Sequence, residues 1–75
     1  MNSDKAFGKV LAEIRKKKGI SQENLADICG LDRTTVSLYE RGIRQPTLPS
    51  LFTLAKGLKM PASDIISAVE KEIGK

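Results

Sequence analysis

Apolar side chains recur three and four residues apart along the chain, not in alternation, so the pattern predicts an all-α fold. Phe7, Val10, Leu11 and Ile14 stand at i, i+3, i+4 and i+7 and form one buried stripe of a first helix expected over about 4–18. Ser3 or Asp4 can cap its start. Lys16, Lys17 and Lys18 suit the negative pole at its end, and Gly19 is the expected terminal glycine. The next apolar set, Ile20, Leu25, Ala26, Cys29, Leu31, Val36 and Tyr39, faces one core only if the helical period restarts after Gly30. The restart makes two short helices, about 22–29 and 33–41. Gly30 suits the left-handed turn between them, Ser21 and Asp32 can cap their free amides, and Gly42 stands where the second should stop. Ile43 and Pro46 are expected to pack and shape the following loop. Leu48, Leu51, Leu54, Ala55 and Leu58 predict the buried face of a fourth helix, about 48–58, with Thr47 as cap and Pro49 harmless in the first turn. A fifth begins near Pro61 or Ala62 and reaches about Ile73.

Composition narrows the chemistry. Lysines and arginines outnumber acids by 13 to 9, giving +4 and a pI near 9.5, which fits an anionic partner as well as an ordinary surface. The charge is uneven. Arg15 to Lys18 form a basic run, whereas Arg33, Arg41 and Arg44 are offset by Glu23, Asp27, Asp32 and Glu40. The lysines of the run read either as a solvated helix end or as phosphate contacts. Cys29 is the one cysteine and there is no histidine, so an internal disulfide, the familiar zinc sites and histidine-activated nucleophiles are excluded. Cys29 is expected to be a buried small hydrophobe. The carboxylates and lysines form no recognisable acid-base constellation, so no enzyme, metal or cofactor is expected. No apolar run approaches the roughly 20 residues of a membrane span, and the first residues lack a signal peptide's hydrophobic segment, so a cytoplasmic protein is expected. With no repeat or linker, residues 1–75 are expected to form one domain, small enough that oligomerisation would help it.

The stretch Gly19 to Gly42 carries more than a period. Ser21-Gln22, Leu25-Ala26, the turn glycine Gly30 and Glu40-Arg41-Gly42 occur in an order and spacing that resemble the lambda-repressor-like, or XRE-type, helix-turn-helix regulators. The resemblance runs from about Phe7 to Ile65 and implies a compact five-helix domain in which the second and third helices, about 21–42, form the helix-turn-helix. It implies that the third helix enters the DNA major groove with its first residues at base edges. Carried over residue by residue, Arg33, Thr34, Thr35 and Leu38 would face bases, and Gln22 a phosphate. In the loop that grips the backbone, Arg41, Arg44 and Gln45 are the candidates. Arg15 would pair with Glu40 and fix the first helix against the third. Arginine bonds O6 and N7 of guanine, threonine offers a hydroxyl and a methyl, and leucine meets only apolar groups such as the thymine methyl. Arg33 should therefore dominate readout; Leu38 is open to core packing or a partner protein as well. Pro61 departs from the family, which often caps the fifth helix with serine or threonine.

In that fifth helix, about 61–73, the resemblance assigns Ile65 to the core and leaves Ile66, Val69 and Ile73 as a second stripe at i, i+3, i+7. A leftover apolar stripe marks an interface, and a symmetric dimer is the commonest solution. Phe52, off the stripe of the fourth helix, can join it. A monomer whose fifth helix folds further across the domain is the alternative. The expectation is a homodimeric regulator of transcription on double-stranded DNA with an inverted-repeat operator, a repressor where the site overlaps a promoter, nucleoid-associated when bound. The alternative is an antitoxin-like module whose stripe faces another protein.

Overall fold

The computed structural model describes residues 2–75. Five helices follow one another: α1 Ser3–Lys17, α2 Gln22–Cys29, α3 Arg33–Glu40, α4 Leu48–Gly57 and α5 Ala62–Ile73. Local chemistry sets their starts. Asn2, rather than Ser3 or Asp4, caps α1: its side-chain oxygen accepts from the Lys5 amide at 2.9 Å, so Ser3 is already helical. The Ser21 and Thr47 hydroxyls accept from the amides of Asn24 and Ser50. Asp32 holds the cap position of α3 with an extended backbone, but its carboxylate makes no cap bond. Its carbonyl, accepting from the Val36 amide at 3.2 Å, begins the helix instead.

Four of the helices end in the same backbone turn. Gly19, Gly30, Gly42 and Lys59 have φ of 71°, 67°, 71° and 57°. Each amide bonds the carbonyl three residues back, and the next amide reaches the carbonyl five residues before it, as Leu31 does to Ala26 at 2.8 Å. Three of these positions use glycine, for which the left-handed region is free of steric cost; the fourth imposes it on a lysine.

The helices enclose one core. α1 packs on α3 and α5, α2 on α3 and α4, and α4 on α5. Leu11, Leu25, Val36, Leu54, Leu58 and Ile65 are fully buried, each such side chain contributing roughly 1.5–3 kcal/mol of transfer free energy. Phe7 meets Tyr39 edge-on with ring centroids 6.3 Å apart, tying α1 to α3. Cys29 is half-buried, and burial pushes its thiol pKa up.

Three further expectations, on side-chain burial, fail on geometry. Leu48 is 65% exposed; at 3.6 residues per turn it lies with Phe52 on the flank of α4, while Leu51, Leu54, Ala55 and Leu58 fill the core. Ile43 is 60% exposed, because the loop is held by its amide bonding the Leu38 carbonyl and not by its side chain. Val69 is only 8% exposed and belongs to the core. The buried stripe of α5 is Ile65, Val69 and Glu72, at i, i+4 and i+7. Glu72 hides that stripe from an apolar reading: its carboxylate accepts from Lys9 Nζ at 2.9 Å and Lys75 Nζ at 3.2 Å, which clamps α5 to α1. The bond from Lys9, then that from Lys75, holds the Glu72 carboxyl below the usual range.

Candidate nucleic-acid interface

α2 and α3 meet across the turn at Gly30, and the two are braced by a charged network rooted in α1. Glu40, at the C-terminal end of α3, accepts on Oε2 from Arg15 Nε at 2.6 Å and on Oε1 from Arg15 Nη2 at 3.0 Å and Gln22 Nε2 at 2.9 Å. Arg15 Nη1 donates to the Ile20 carbonyl at 2.8 Å, drawing in the α1–α2 loop. Both charged side chains are nearly buried, at 10% and 7% exposure. Every buried side-chain nitrogen and oxygen among the described residues has a partner, which is the condition for such a pair to be tolerated. The hydrogen bond to Glu40 raises the Arg15 pKa, so the guanidinium stays charged.

Val36 and Tyr39 anchor one face of α3 in the core. At its N-terminal turn Arg33 and Thr34 are exposed, and further along Thr35 and Leu38 are half-buried. Arg41, Arg44 and Gln45, on the turn and loop after α3, are exposed, and the Arg44 amide bonds the Leu38 carbonyl at 3.3 Å, so the loop folds back along α3. Gln22, at the first turn of α2, is half-buried because Glu40 holds its amide. Lys16, Lys17 and Lys18 are exposed at the end of α1. The candidate residues thus lie on three consecutive pieces of backbone, α2 start, α3 and the loop beyond, locked by Glu40.

A second surface has the opposite character. Leu48 and the 57% exposed Phe52 on α4, and Ile66 and Ile73 on α5, are apolar side chains left in solvent. Phe7, Pro46, Leu51, Ile66 and Val69 line an open hollow of about 190 Å³. Of the stripe Ile66, Val69 and Ile73, two residues are exposed and the middle one is largely spent on the chain's own core.

Sequence reasoning missed Gly8, Glu72 and the exposed Ile43. Gly8 offered a signal: a glycine inside a helix costs about 1 kcal/mol relative to alanine and calls for a packing reason. A Cβ there would lie 2.5 Å from the carbonyl oxygens of Tyr39 and Glu40.

No helix among the described residues is long and apolar enough to cross a membrane, and no group of three or more His, Cys, Asp and Glu could hold a metal ion. A helix-turn-helix family model matches residues 11–65. The control protein C.MunI from a Mycoplasma species is 40% identical over 67 residues, 88% of this chain and 90% of that protein. Among solved structures, the restriction-modification controller protein C.AhdI from Aeromonas hydrophila superposes with a TM-score of 0.79 at 41% identity, covering 81% of this chain and 92% of its own. The restriction-modification controller protein C.Esp1396I, solved as a tetramer in complex with its natural 35 base-pair operator, gives a TM-score of 0.90 at 36% identity, covering 100% of this chain and 99% of its own. With the matched segment containing the braced α2–α3 pair and most of the core, the chain belongs to the XRE-type, lambda-repressor-like helix-turn-helix family of DNA-binding proteins.

Proposed function

We propose that the chain is a sequence-specific DNA-binding transcriptional regulator that works as a homodimer on an inverted repeat, in the cytoplasm and on the nucleoid, with no enzymatic step. The observation that carries this reading is the orientation of α3: Val36 and Tyr39 face the core, Arg33 and Thr34 face solvent, and Glu40 is locked to both α1 and α2. Arg33 reads guanine, Thr34 and Thr35 supply hydroxyls and methyls, and Leu38 packs on a thymine methyl. Gln22, Arg41, Arg44 and Gln45 contact phosphates and set the register without reading sequence. Relatives named as control proteins support a role in transcription, and the operator-bound tetramer of C.Esp1396I supports action as an oligomer.

The second copy sits against Phe52, Ile66 and Ile73. That apolar patch would be covered by its own symmetry mate; for the two copies of α3 to enter successive major grooves they must then lie about 34–36 Å apart, with half-site centres about 10 base pairs apart, or a multiple of that. Residues 1–75 act as one unit in this reading, with α5 on the dimer side. The test is selection of bound sequences from a random DNA pool at physiological salt, with the stoichiometry of the winning complex. The expected result is an enriched inverted repeat bound by two chains or a multiple of two. No enrichment by a folded protein would overturn the reading and direct attention to a protein partner for the α4–α5 patch.

A further inference from the structure

Where α1 meets the C-terminal end of α3, two glycines bring the backbones into close approach. A Cβ on Gly8 would sit 2.5 Å from two carbonyl oxygens, those of Tyr39 and Glu40. These are backbone atoms and cannot swing aside. Gly42, the left-handed residue that closes α3, would bring a Cβ to 3.0 Å from both the Cα and the Cγ of Lys5 and to 3.3 Å from its amide nitrogen. Lys5 and Gly8 are one turn apart on α1, so the two contacts bracket the last turn of α3. The other left-handed glycines differ: at Gly19 and Gly30 a Cβ would meet nothing within 4 Å.

The remaining ties between α1 and α3 pass through side chains, the Arg15 guanidinium on Glu40 and the Phe7 ring on Tyr39. Side chains absorb small displacements by rotating about their bonds. Backbone against backbone is a hard stop. We infer that Gly8 and Gly42 form a side-chain-free seat that fixes the angle and depth at which α3 projects from the body, which makes them positioning residues for base reading by Arg33 and Thr34. This rests on the reading of α3 as the DNA-reading helix. Arg33 lies about 10 Å along the helix from Glu40 at 1.5 Å per residue, so a tilt of about 5° at the seat moves the reading end by about 1 Å. That exceeds the roughly 0.5 Å within which a binding constellation has to be held.

The test compares Gly42→Asn with Gly19→Asn. Asparagine accepts the left-handed conformation, so the two variants carry a similar backbone cost, and only the first presses on Lys5. Two quantities are read in the folded proteins: the α1–α3 angle from amide residual dipolar couplings, and the ratio of affinities for the selected site and for random DNA. Gly19→Asn should leave both at the wild-type value. Gly42→Asn should rotate α3 and lower the ratio about tenfold, the loss of roughly one good base contact, while binding to random DNA stays within about twofold because phosphate contacts adapt. Gly8→Ala should act in the same direction and more strongly; should it fail to fold, Gly42→Asn decides. Wild-type couplings or a wild-type ratio in Gly42→Asn would overturn the seat. A wild-type protein that selects no sequence would instead sink the DNA reading and the assignment of base-positioning with it, and the couplings alone would then decide whether the seat orients α3.

Discussion

The face of α3 and the face shared by α4 and α5 are both left in solvent, and they differ in what they leave there. α3 turns Arg33 and Thr34 outward, followed by Arg41 and Arg44, while the α4–α5 side turns out Leu48, Phe52, Ile66 and Ile73. Cationic and hydroxyl groups gain little from each other but meet phosphates and base edges well. An apolar patch on a small protein is stabilised chiefly by being covered. The anchoring differs to match. α3 is pinned by a charged network at one end and aromatic packing behind it, which tolerates little error in orientation; α5 is held by an apolar stripe and the Lys9–Glu72 clamp.

The largest effect is expected from charge placed on the apolar side. Phe52→Glu or Ile66→Glu alters a residue exposed in the single chain, so the fold should persist in far-UV circular dichroism, with stability lowered only by the association that is lost. The sedimentation mass should nevertheless halve, and operator affinity should fall about 10²–10⁴-fold as the avidity of two linked readers is lost. An unchanged mass would move the interface elsewhere. Val69→Glu cannot serve, because that residue is in the core.

Next in size is the anchor of α3. Arg15→Ala leaves the nearly buried Glu40 carboxylate with Gln22 alone, and the expected loss is about 3–5 kcal/mol in thermal or denaturant unfolding. A loss below about 1 kcal/mol would mean that Glu40 is effectively solvated and that the network does not orient α3.

On the polar face the prediction separates reading from gripping. Arg33→Ala should cost about 1–3 kcal/mol on the best site and relax preference at one base pair, whereas Arg44→Ala should weaken all sequences alike. Arg44→Ala should also reduce the salt dependence of binding by about 0.9 in log-log slope. Equal losses on specific and random DNA from both variants would remove Arg33 from the readout. The smallest effect touches neither face. Lys59→Gly, which relieves the one left-handed residue that is not glycine among those described, should stabilise by about 0.5–1 kcal/mol. In a chain of this size that is a rise of a few degrees in Tm, roughly 4–8 °C per kcal/mol; a fall would show that the lysine side chain contributes something glycine lacks.

The order and near-boundaries of the helices could be read from periodicity because the first three helices each had a stop written locally, Gly19, Gly30 or Gly42, and α2 and α4 each had a cap, Ser21 and Thr47. The candidate site was legible in a different way. Nothing in spacing alone joins Arg15 to Glu40; that pairing came from resemblance to a family. What escaped both routes was decided by rotation of a helix about its own axis. One residue of phase separates the stripe Ile66, Val69, Ile73 from the buried stripe Ile65, Val69, Glu72, and a carboxylate on the core face misleads any reading by apolarity. Leu48 failed for the same reason, lying on the flank of α4 with Phe52.

By itself the sequence determined five helices, their turns, the absence of histidine and disulfide chemistry, and a basic balance, because caps, glycines and 3.6-residue periods act over a few residues. The tertiary structure alone decided which side of α4 and α5 meets the core, that Glu72 is clamped by Lys9, and that Gly8 lies under the carbonyls of Tyr39 and Glu40. Those are contacts between residues 31 to 63 positions apart, and they depend on how closely two helix backbones can approach, a quantity that no local pattern encodes.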